Sequence, residues 1–236
     1  MCFLVAIDLS APSRSAIKLS ALLARATGLS PLLIHVSEGH PPLRLLADLY
    51  GLAEPLRALG STPKLRTVQG DPATCIRQQA VARGARFVVM GTRGHQSDDT
   101  PATGSVARRV MAACKIPVIA VRPQNLALPD SEAAVPSSRV VALMDAAHPG
   151  DAAHSIARFL VEATDGRLLE LPSGSSWLDE TTTGLSCPPA HLVLSVDPAA
   201  PAPPWVEQLL HTASTPLVLV SRQPMAWAGP NHTVRG

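Results

Sequence analysis

Aromatic residues are scarce in this sequence, where three Phe, three Trp and one Tyr make up 3% of 236 residues. Few side chains are therefore available to stack on unpaired bases, which argues against a single-stranded nucleic acid as the ligand. Long apolar runs are also absent, since none reaches the roughly 18 residues that a membrane-spanning helix needs. The apolar start from Cys2 to Ile7 is cut short by Asp8, and no basic segment precedes it as in a secretory signal. These absences predict a globular cytoplasmic protein.

Cysteine is sparse as well, with four residues at positions 2, 75, 114 and 187 and no CxxC pair among them. Cys75 and Cys114 fall in segments whose residue pattern indicates helices. We therefore expect free structural thiols in place of disulfides or zinc ligands.

Three common catalytic and nucleotide-binding motifs are missing. The chain has no G-x4-G-K-[ST] sequence of a P-loop NTPase and no G-x-G-x-x-G sequence of a dinucleotide site. The G-x-S-x-G pattern of a nucleophile elbow is absent too, because the residues that flank Ser105 do not match it. No general base or committed nucleophile stands out, so we predict no catalytic residue.

The net charge of +2 conceals a difference between the two halves. Residues 1–124 contain 15 Lys and Arg against 7 Asp and Glu, a balance of +8, whereas the remaining residues contain 5 against 11, a balance of −6. Either the basic half packs on the acidic half of the same chain, or the basic half attracts an anionic small ligand. Nucleic acid is disfavoured, because the basic residues are scattered singly and form no stripe.

In the first half, short aliphatic and β-branched runs alternate with amphipathic segments of helical length. This alternation predicts an open parallel sheet covered by helices. The predicted strands lie near 2–8, 31–37, 64–69, 86–91 and 116–122. The predicted helices run from Ser10 or Pro12 to Gly28, over 42–59, from Pro72 after a cap at Asp71, and from Ser105 to about Cys114.

The fourth predicted strand leads into a glycine-rich loop, which is followed by a helix. Its spacing is G-x2-G-x9-G-S, made by Gly91, Gly94, Gly104 and Ser105. Glycines allow a positive φ and a close approach of the backbone to a ligand, and the free N–H groups at the start of a helix attract anions. The loop is therefore a candidate cradle for phosphate.

Asp8 follows the first predicted strand. Ligands of open α/β sheets bind at the carboxyl ends of the strands, where the strand order reverses. If the first and fourth strands are neighbours, Asp8 and Gly91 face one crevice, and the carboxylate can accept hydrogen bonds from a ribose hydroxyl or an adenine amino group. The alternative is that Asp8 caps the following helix together with Ser10.

Charged residues in and after the glycine loop allow two interpretations. Asp98 and Asp99 either recruit Mg²⁺ beside a phosphate or lie solvated on a mobile loop. Arg93 supplies positive charge near the expected phosphates. Arg108 and Arg109 either add to that charge or are exposed helix residues.

The second half repeats the first with pieces missing. The segment that starts at Arg139 parallels the segment that starts at Phe3, and the later shortening removes the third strand and helix. Ser195 and Pro198 replace the first two loop glycines, and proline has no N–H to offer a phosphate. We therefore predict two tandem open parallel-sheet α/β domains, of which the second is truncated and binds no nucleotide through this loop. The predicted boundaries are 1–124 for the first domain, 125–138 for a linker, 139–224 for the second domain and 225–236 for a tail.

The first half resembles the universal stress protein family. The resemblance rests on VAIDLSAPS, IHVSEG, VQGDP, MGTRG, GSVARRV and IPVIAV, which follow one another in the family's order. It implies a Rossmann-like fold, similar to the adenine nucleotide alpha hydrolases, with the strand order 3-2-1-4-5. In the nucleotide-binding branch of the family, the residue matching Asp8 contacts adenine or ribose, and the one matching Val36 lines the adenine site. The glycines with Ser105 hold the phosphates.

The resemblance also implies what the protein does and how it assembles. It predicts a cytoplasmic protein that binds ATP or a related adenine nucleotide, with Mg²⁺ as a candidate companion, and acts as a switch in stress response. Any ATP hydrolysis would be slow and incidental. Pairing through the fifth strand implies a homo-oligomer or a pseudo-dimer within one chain. The alternative is an adaptor or dimerisation module that binds no nucleotide and acts through protein partners.

Overall fold

The computed structural model describes residues 1–37, 39, 42–92, 105–122, 140–144, 151–171, 191–197 and 217–221. The nine strands that it describes are β1 (Cys2–Ala6), β2 (Ser30–Ser37), β3 (Lys64–Gln69), β4 (Val88–Gly91), β5 (Val118–Val121), β6 (Val140–Met144), β7 (Arg167–Leu171), β8 (His191–Val196) and β9 (Leu217–Ser221). The helices in the same ranges are α1 (Ala11–Thr27), α2 (Leu43–Leu52), α3 (Glu54–Ala58), α4 (Pro72–Ala82), α5 (Ser105–Ala113) and α6 (Ala152–Thr164).

All nine strands form one sheet in the order β3-β2-β1-β4-β5-β9-β8-β6-β7. The first five strands are parallel and confirm the predicted order 3-2-1-4-5. Their central members are buried on both faces, as parallel strands covered by helices must be. This part of the chain is therefore an open α/β sheet of the Rossmann-like kind.

The direction of the sheet changes where the two halves of the chain meet. β5 pairs with β9 in antiparallel orientation, with Ile119 opposite Val220 and Val121 opposite Val218. The Ser221 hydroxyl accepts a hydrogen bond from the Val118 N–H at 2.8 Å, inside the seam. Beyond the seam, β9, β8, β6 and β7 are again parallel to one another. The halves thus share one continuous sheet.

Helices cover the two faces of this sheet in separate cores. On one face, α1, α2, α3 and α6 contribute buried residues, and α1 packs directly against α6 across the seam. On the other face, α4 and α5 pack against each other and against the first five strands. In the first half of the chain, the helices before β3 therefore lie on one face of the sheet and the helices after it lie on the other. Open α/β sheets bind ligands where this change of face occurs.

Local signals account for three of the described helix ends. Ser10 caps α1 by accepting the N–H of Ser13, and Gly28 ends that helix in the left-handed conformation with φ of 65°. Asp71 caps α4 through the Thr74 N–H, as predicted.

The prediction of one helix over 42–59 was wrong, because the segment divides at Ala53 into α2 and α3. Pro55 explains the break: it has no N–H for the helical ladder, and its ring clashes with the carbonyl four residues earlier.

Several sequence predictions lie outside the described residues. They include the linker at 125–138 and the tail at 225–236. The same is true of Arg93, Gly94, Asp98, Asp99, Gly104 and Pro198.

Candidate site at the carboxyl edge of the sheet

The candidate site lies where the strand order reverses. β1 and β4 are neighbours, with Leu4 opposite Val88 and Val5 opposite Val89. The helix that follows β1 covers one face of the sheet, and the helix that follows β4 covers the other. Helices α1 and α5 therefore lie on opposite faces of the sheet, and in open α/β sheets the crevice at the carboxyl edge between two such helices is the usual binding position. Asp8 and Gly91 both lie at this edge.

Asp8 organises the turn between β1 and α1. Its Oδ1 accepts hydrogen bonds from the N–H of Ser10, at 2.9 Å, and from the Ser10 hydroxyl, while its own N–H donates to the Ser13 Oγ at 3.0 Å. Ser10 then caps the helix. Asp8 therefore orients the capping serine, which is close to the alternative role that the sequence left open. Its Oδ2 accepts no hydrogen bond from a described residue, and the side chain is half-buried.

Gly91 contacts helix α1 at the end of β4. A Cβ placed on it would lie 2.5 Å from the Pro12 Cβ and 2.9 Å from the Pro12 carbonyl carbon. Its φ is not in the left-handed region, unlike that of Gly28, Gly60, Gly70 and Gly84. The sequence suggested that this glycine serves backbone freedom and ligand approach. The structure gives another reason, which is that the strand and the helix touch with no room for a side chain.

Half-exposed apolar side chains surround the crevice on the α4 and α5 side. Val36 lies near the end of β2, and Ala6 and Val68 occupy the corresponding ends of β1 and β3. Val106, from the first turn of α5, belongs to the same group. Sequence reasoning named only Val36. Strand alternation assigns Ala6 and Val68 to one face of their own strands, but it does not apply to Val106, which lies in a helix.

The first turn of α5 begins at Ser105, which is exposed. This turn contains no acidic residue, so nothing in it opposes the positive end of the helix dipole. The N–H groups of a first helical turn have no partner within their own helix, and they are the groups that bind anions. The turn therefore has the chemistry that phosphate binding requires.

An ion pair joins the start of α4 to α5. Arg109 donates from Nη1 to Asp71 Oδ1 at 2.9 Å and from Nη2 to Asp71 Oδ2 at 2.8 Å. These bonds, together with the Thr74 N–H, lower the pKa of Asp71 from 3.8 to about 2. The sequence left Arg109 as either a phosphate-facing or an exposed residue and gave Asp71 only a capping role. Arg108 is exposed and makes no hydrogen bond or ion pair with a described residue.

Metal ligands and membrane spans are both absent from the part of the chain that the structure describes. There, no group of three His, Cys, Asp or Glu side chains is arranged to hold a metal ion. In the same ranges, no helix is both long enough and apolar enough to cross a membrane.

These features define an open α/β protein with a candidate binding crevice at the switch point of its sheet. The model of the Universal stress protein family matches residues 3–122, and the chain belongs to that family. No curated protein matches the chain.

Two solved structures are similar to nearly the whole chain. One is a universal stress protein from Archaeoglobus fulgidus DSM 4304, which is 15% identical, with a TM-score of 0.59 and coverage of 95% of this chain and 97% of that chain. The other is PA1789 from Pseudomonas aeruginosa PAO1, a functionally unknown protein, which is 12% identical with a TM-score of 0.59 and coverage of 94% and 92%. At these identities the similarity establishes the fold.

Proposed function

We propose that this protein binds ATP or a related adenine nucleotide in residues 1–124 and acts as a cytoplasmic switch in stress response. The observation that carries the proposal is the chemistry of the switch-point crevice. Apolar side chains at the ends of three neighbouring strands lie on the same face of the sheet as α5, whose first turn is free of acidic residues. The apolar side chains suit an aromatic base, and the first turn of α5 suits a phosphate.

Each candidate residue has a role in this proposal. Val36 lines the adenine, and the Oδ2 of Asp8 accepts a hydrogen bond from ribose or adenine. The N–H groups of the first turn of α5 and the Ser105 hydroxyl bind phosphate. In the loop before that helix, Gly91, Gly94 and Gly104 allow close approach, and Arg93 adds positive charge. Asp98 and Asp99 are the residues through which Mg²⁺ would accompany a triphosphate.

Binding without catalysis is the mode of action that we propose. A nucleotide shifts a protein between two states when it binds one of them more tightly, and no bond of the nucleotide has to break. Occupancy of the crevice would then change which protein partner binds. Any hydrolysis of ATP would be slow and incidental to this role.

We further propose that the two halves are tandem domains of this family that form a pseudo-dimer within one chain. The order β9-β8-β6-β7 corresponds to 5-4-1-2 of the first half, and the antiparallel β5 and β9 lie at the centre of the sheet. Ser195 stands near the end of β8, where the first half has Gly91 near the end of β4. The second domain would support the sheet and bind no nucleotide through its loop.

A second function is favoured by one specific feature. The pair Asp98 and Asp99 between the second and third glycines would repel an unaccompanied triphosphate. A protein with this loop would serve as an adaptor that works through protein partners. Homo-oligomerisation would then be its main activity.

A calorimetric titration of nucleotide-free protein with ATP and Mg²⁺ separates the two functions. We expect saturable binding at about one site per chain, since one domain carries the complete glycine motif. We expect Gly94→Pro to abolish binding, because proline lacks the N–H and fixes φ. The matched control is Thr100→Pro in the same loop. Residues that precede a proline, as Thr100 precedes Pro101, favour extended conformations that proline also adopts, so this variant should retain binding. No binding by the wild type would favour the adaptor, whereas unchanged affinity in Gly94→Pro would overturn the proposed binding through the glycine loop.

A further inference from the structure

We propose that Asp71 sets the phosphate specificity of the nucleotide site by holding the Arg109 guanidinium, so that added phosphates gain little affinity. This inference rests on the proposed function and deepens it. It concerns the ligand class: the site takes an adenine nucleotide with one phosphate nearly as well as one with three. The observation that carries it is the bidentate pair between the start of α4 and the second turn of α5.

Arg109 is placed where a phosphate at the start of α5 would interact with it. It stands four residues after Ser105, and residues with this spacing lie on the same side of a helix. Helical side chains also lean toward the N-terminal end of their helix, so a side chain as long as that of Arg109 can reach the turn that Ser105 begins. Its side chain is 55% exposed and that of Asp71 is 42% exposed, so a solvent-borne ligand reaches both.

The ion pair changes what a bound phosphate encounters. Both oxygens of Asp71 are engaged by Arg109, and Oδ2 also accepts the Thr74 N–H, so the carboxylate is held in place. Arginine binds carboxylate and phosphate with the same two-pronged geometry, so a nucleotide phosphate must compete with Asp71 for it. The negative charge of Asp71 also remains nearby and repels each added phosphate.

Two conservative substitutions isolate this effect. Asp71→Asn removes the charge, yet asparagine caps helices as well as aspartate does, so α4 keeps its cap. Glu54→Gln is the matched control, since Glu54 forms an exposed ion pair with Arg57 at 3.1 Å. That pair belongs to α3, on the opposite face of the sheet. Both substitutions remove one negative charge and one arginine partner.

The experiment measures the affinities of ATP and AMP, each with Mg²⁺, for the wild type and three variants. In Asp71→Asn we expect the ratio of ATP to AMP affinity to rise by about tenfold, the effect of one charge-assisted contact. In the double variant Asp71→Asn, Arg109→Gln, that gain should disappear. In Glu54→Gln the ratio should stay within about twofold of the wild type, as for an exposed pair remote from the site.

The outcomes separate this inference from the proposed function. If the wild type binds both nucleotides and Asp71→Asn leaves the ratio unchanged, the specificity role is overturned and nucleotide binding stands. A gain that survives in the double variant also overturns it, because Arg109 would not be the group released. If the wild type binds neither ATP nor AMP, both proposals fail. Thermal unfolding of each variant shows whether α4 has kept its stability. An ion pair with a structural role alone would change the unfolding temperature of Asp71→Asn and leave the ratio of ATP to AMP affinity unchanged.

Discussion

Replacing Gly91 with alanine is expected to lower the free energy of unfolding by about 3 kcal/mol, at the upper end for an overpacked core. The added methyl group would lie 2.5 Å from the Pro12 Cβ and 2.9 Å from the Pro12 carbonyl carbon. The first neighbour is part of a ring and the second is backbone, so neither can move aside as a flexible side chain would. Either β4 must separate from α1 or the turn after Ser10 must shift. Urea unfolding followed by circular dichroism measures the loss.

The control for this prediction is Gly51→Ala. Gly51 is an exposed residue of α2 whose φ is not left-handed, and a methyl group added to it would have no heavy atom within 4 Å. Alanine there should raise the free energy of unfolding by about 0.5 kcal/mol, because it loses less backbone entropy on folding than glycine. Wild-type stability in Gly91→Ala would show that the strand and helix do not touch as described. Weaker nucleotide binding at unchanged stability would show that Gly91 serves ligand approach and not packing.

Replacing His191 with leucine is expected to remove a large part of the acid sensitivity of this protein. His191 is buried at the start of β8, opposite Val141, and neither ring nitrogen has a hydrogen-bond partner among the described residues. Burial lowers its pKa from 6.5 to about 4. Between these two pH values the unfolded chain binds a proton that the folded chain excludes, so the free energy of unfolding falls as the pH falls. The contribution is about 3 kcal/mol, fully present above pH 6.5 and lost by about pH 4.

Two variants distinguish the proton from the packing. His191→Leu should flatten the stability profile between pH 6.5 and 4, and it should be more stable than the wild type at pH 7, since two unpaired buried nitrogens are gone. His191→Gln cannot take up a proton either, so it should show the same flattening, but it still buries polar atoms and should be less stable than the leucine variant. Denaturant unfolding across this range gives both results. A slope that persists in both variants would assign the acid sensitivity to other groups.

The candidate site shows where sequence reasoning about single residues succeeds and where it stops. Asp8 and Val36 were placed at the carboxyl edge from strand ends and from the family resemblance, and they lie there. Their contacts with a nucleotide stay predictions. Ala6, Val68 and Val106 were missed because each is an ordinary apolar residue in its own segment. Only the alignment of three strands and one helix makes them a group.

The sequence by itself determined the features that depend on neighbouring residues. The alternation of apolar runs predicted the first five strands, and Ser10, Gly28 and Asp71 marked helix ends where the structure has them. The family motifs added the strand order. Signals of this kind survive in the sequence because a cap or a strand is built from residues a few positions apart.

Tertiary structure decided the contacts between distant segments. Gly91 meets Pro12 across 79 positions, and Asp71 meets Arg109 across 38. His191 is buried without a hydrogen-bond partner among the described residues because of where β8 lies in the sheet. In each case the same residue placed elsewhere would be an ordinary glycine, cap or exposed histidine. The roles come from how helices pack on a sheet, and that packing depends on the whole chain at once.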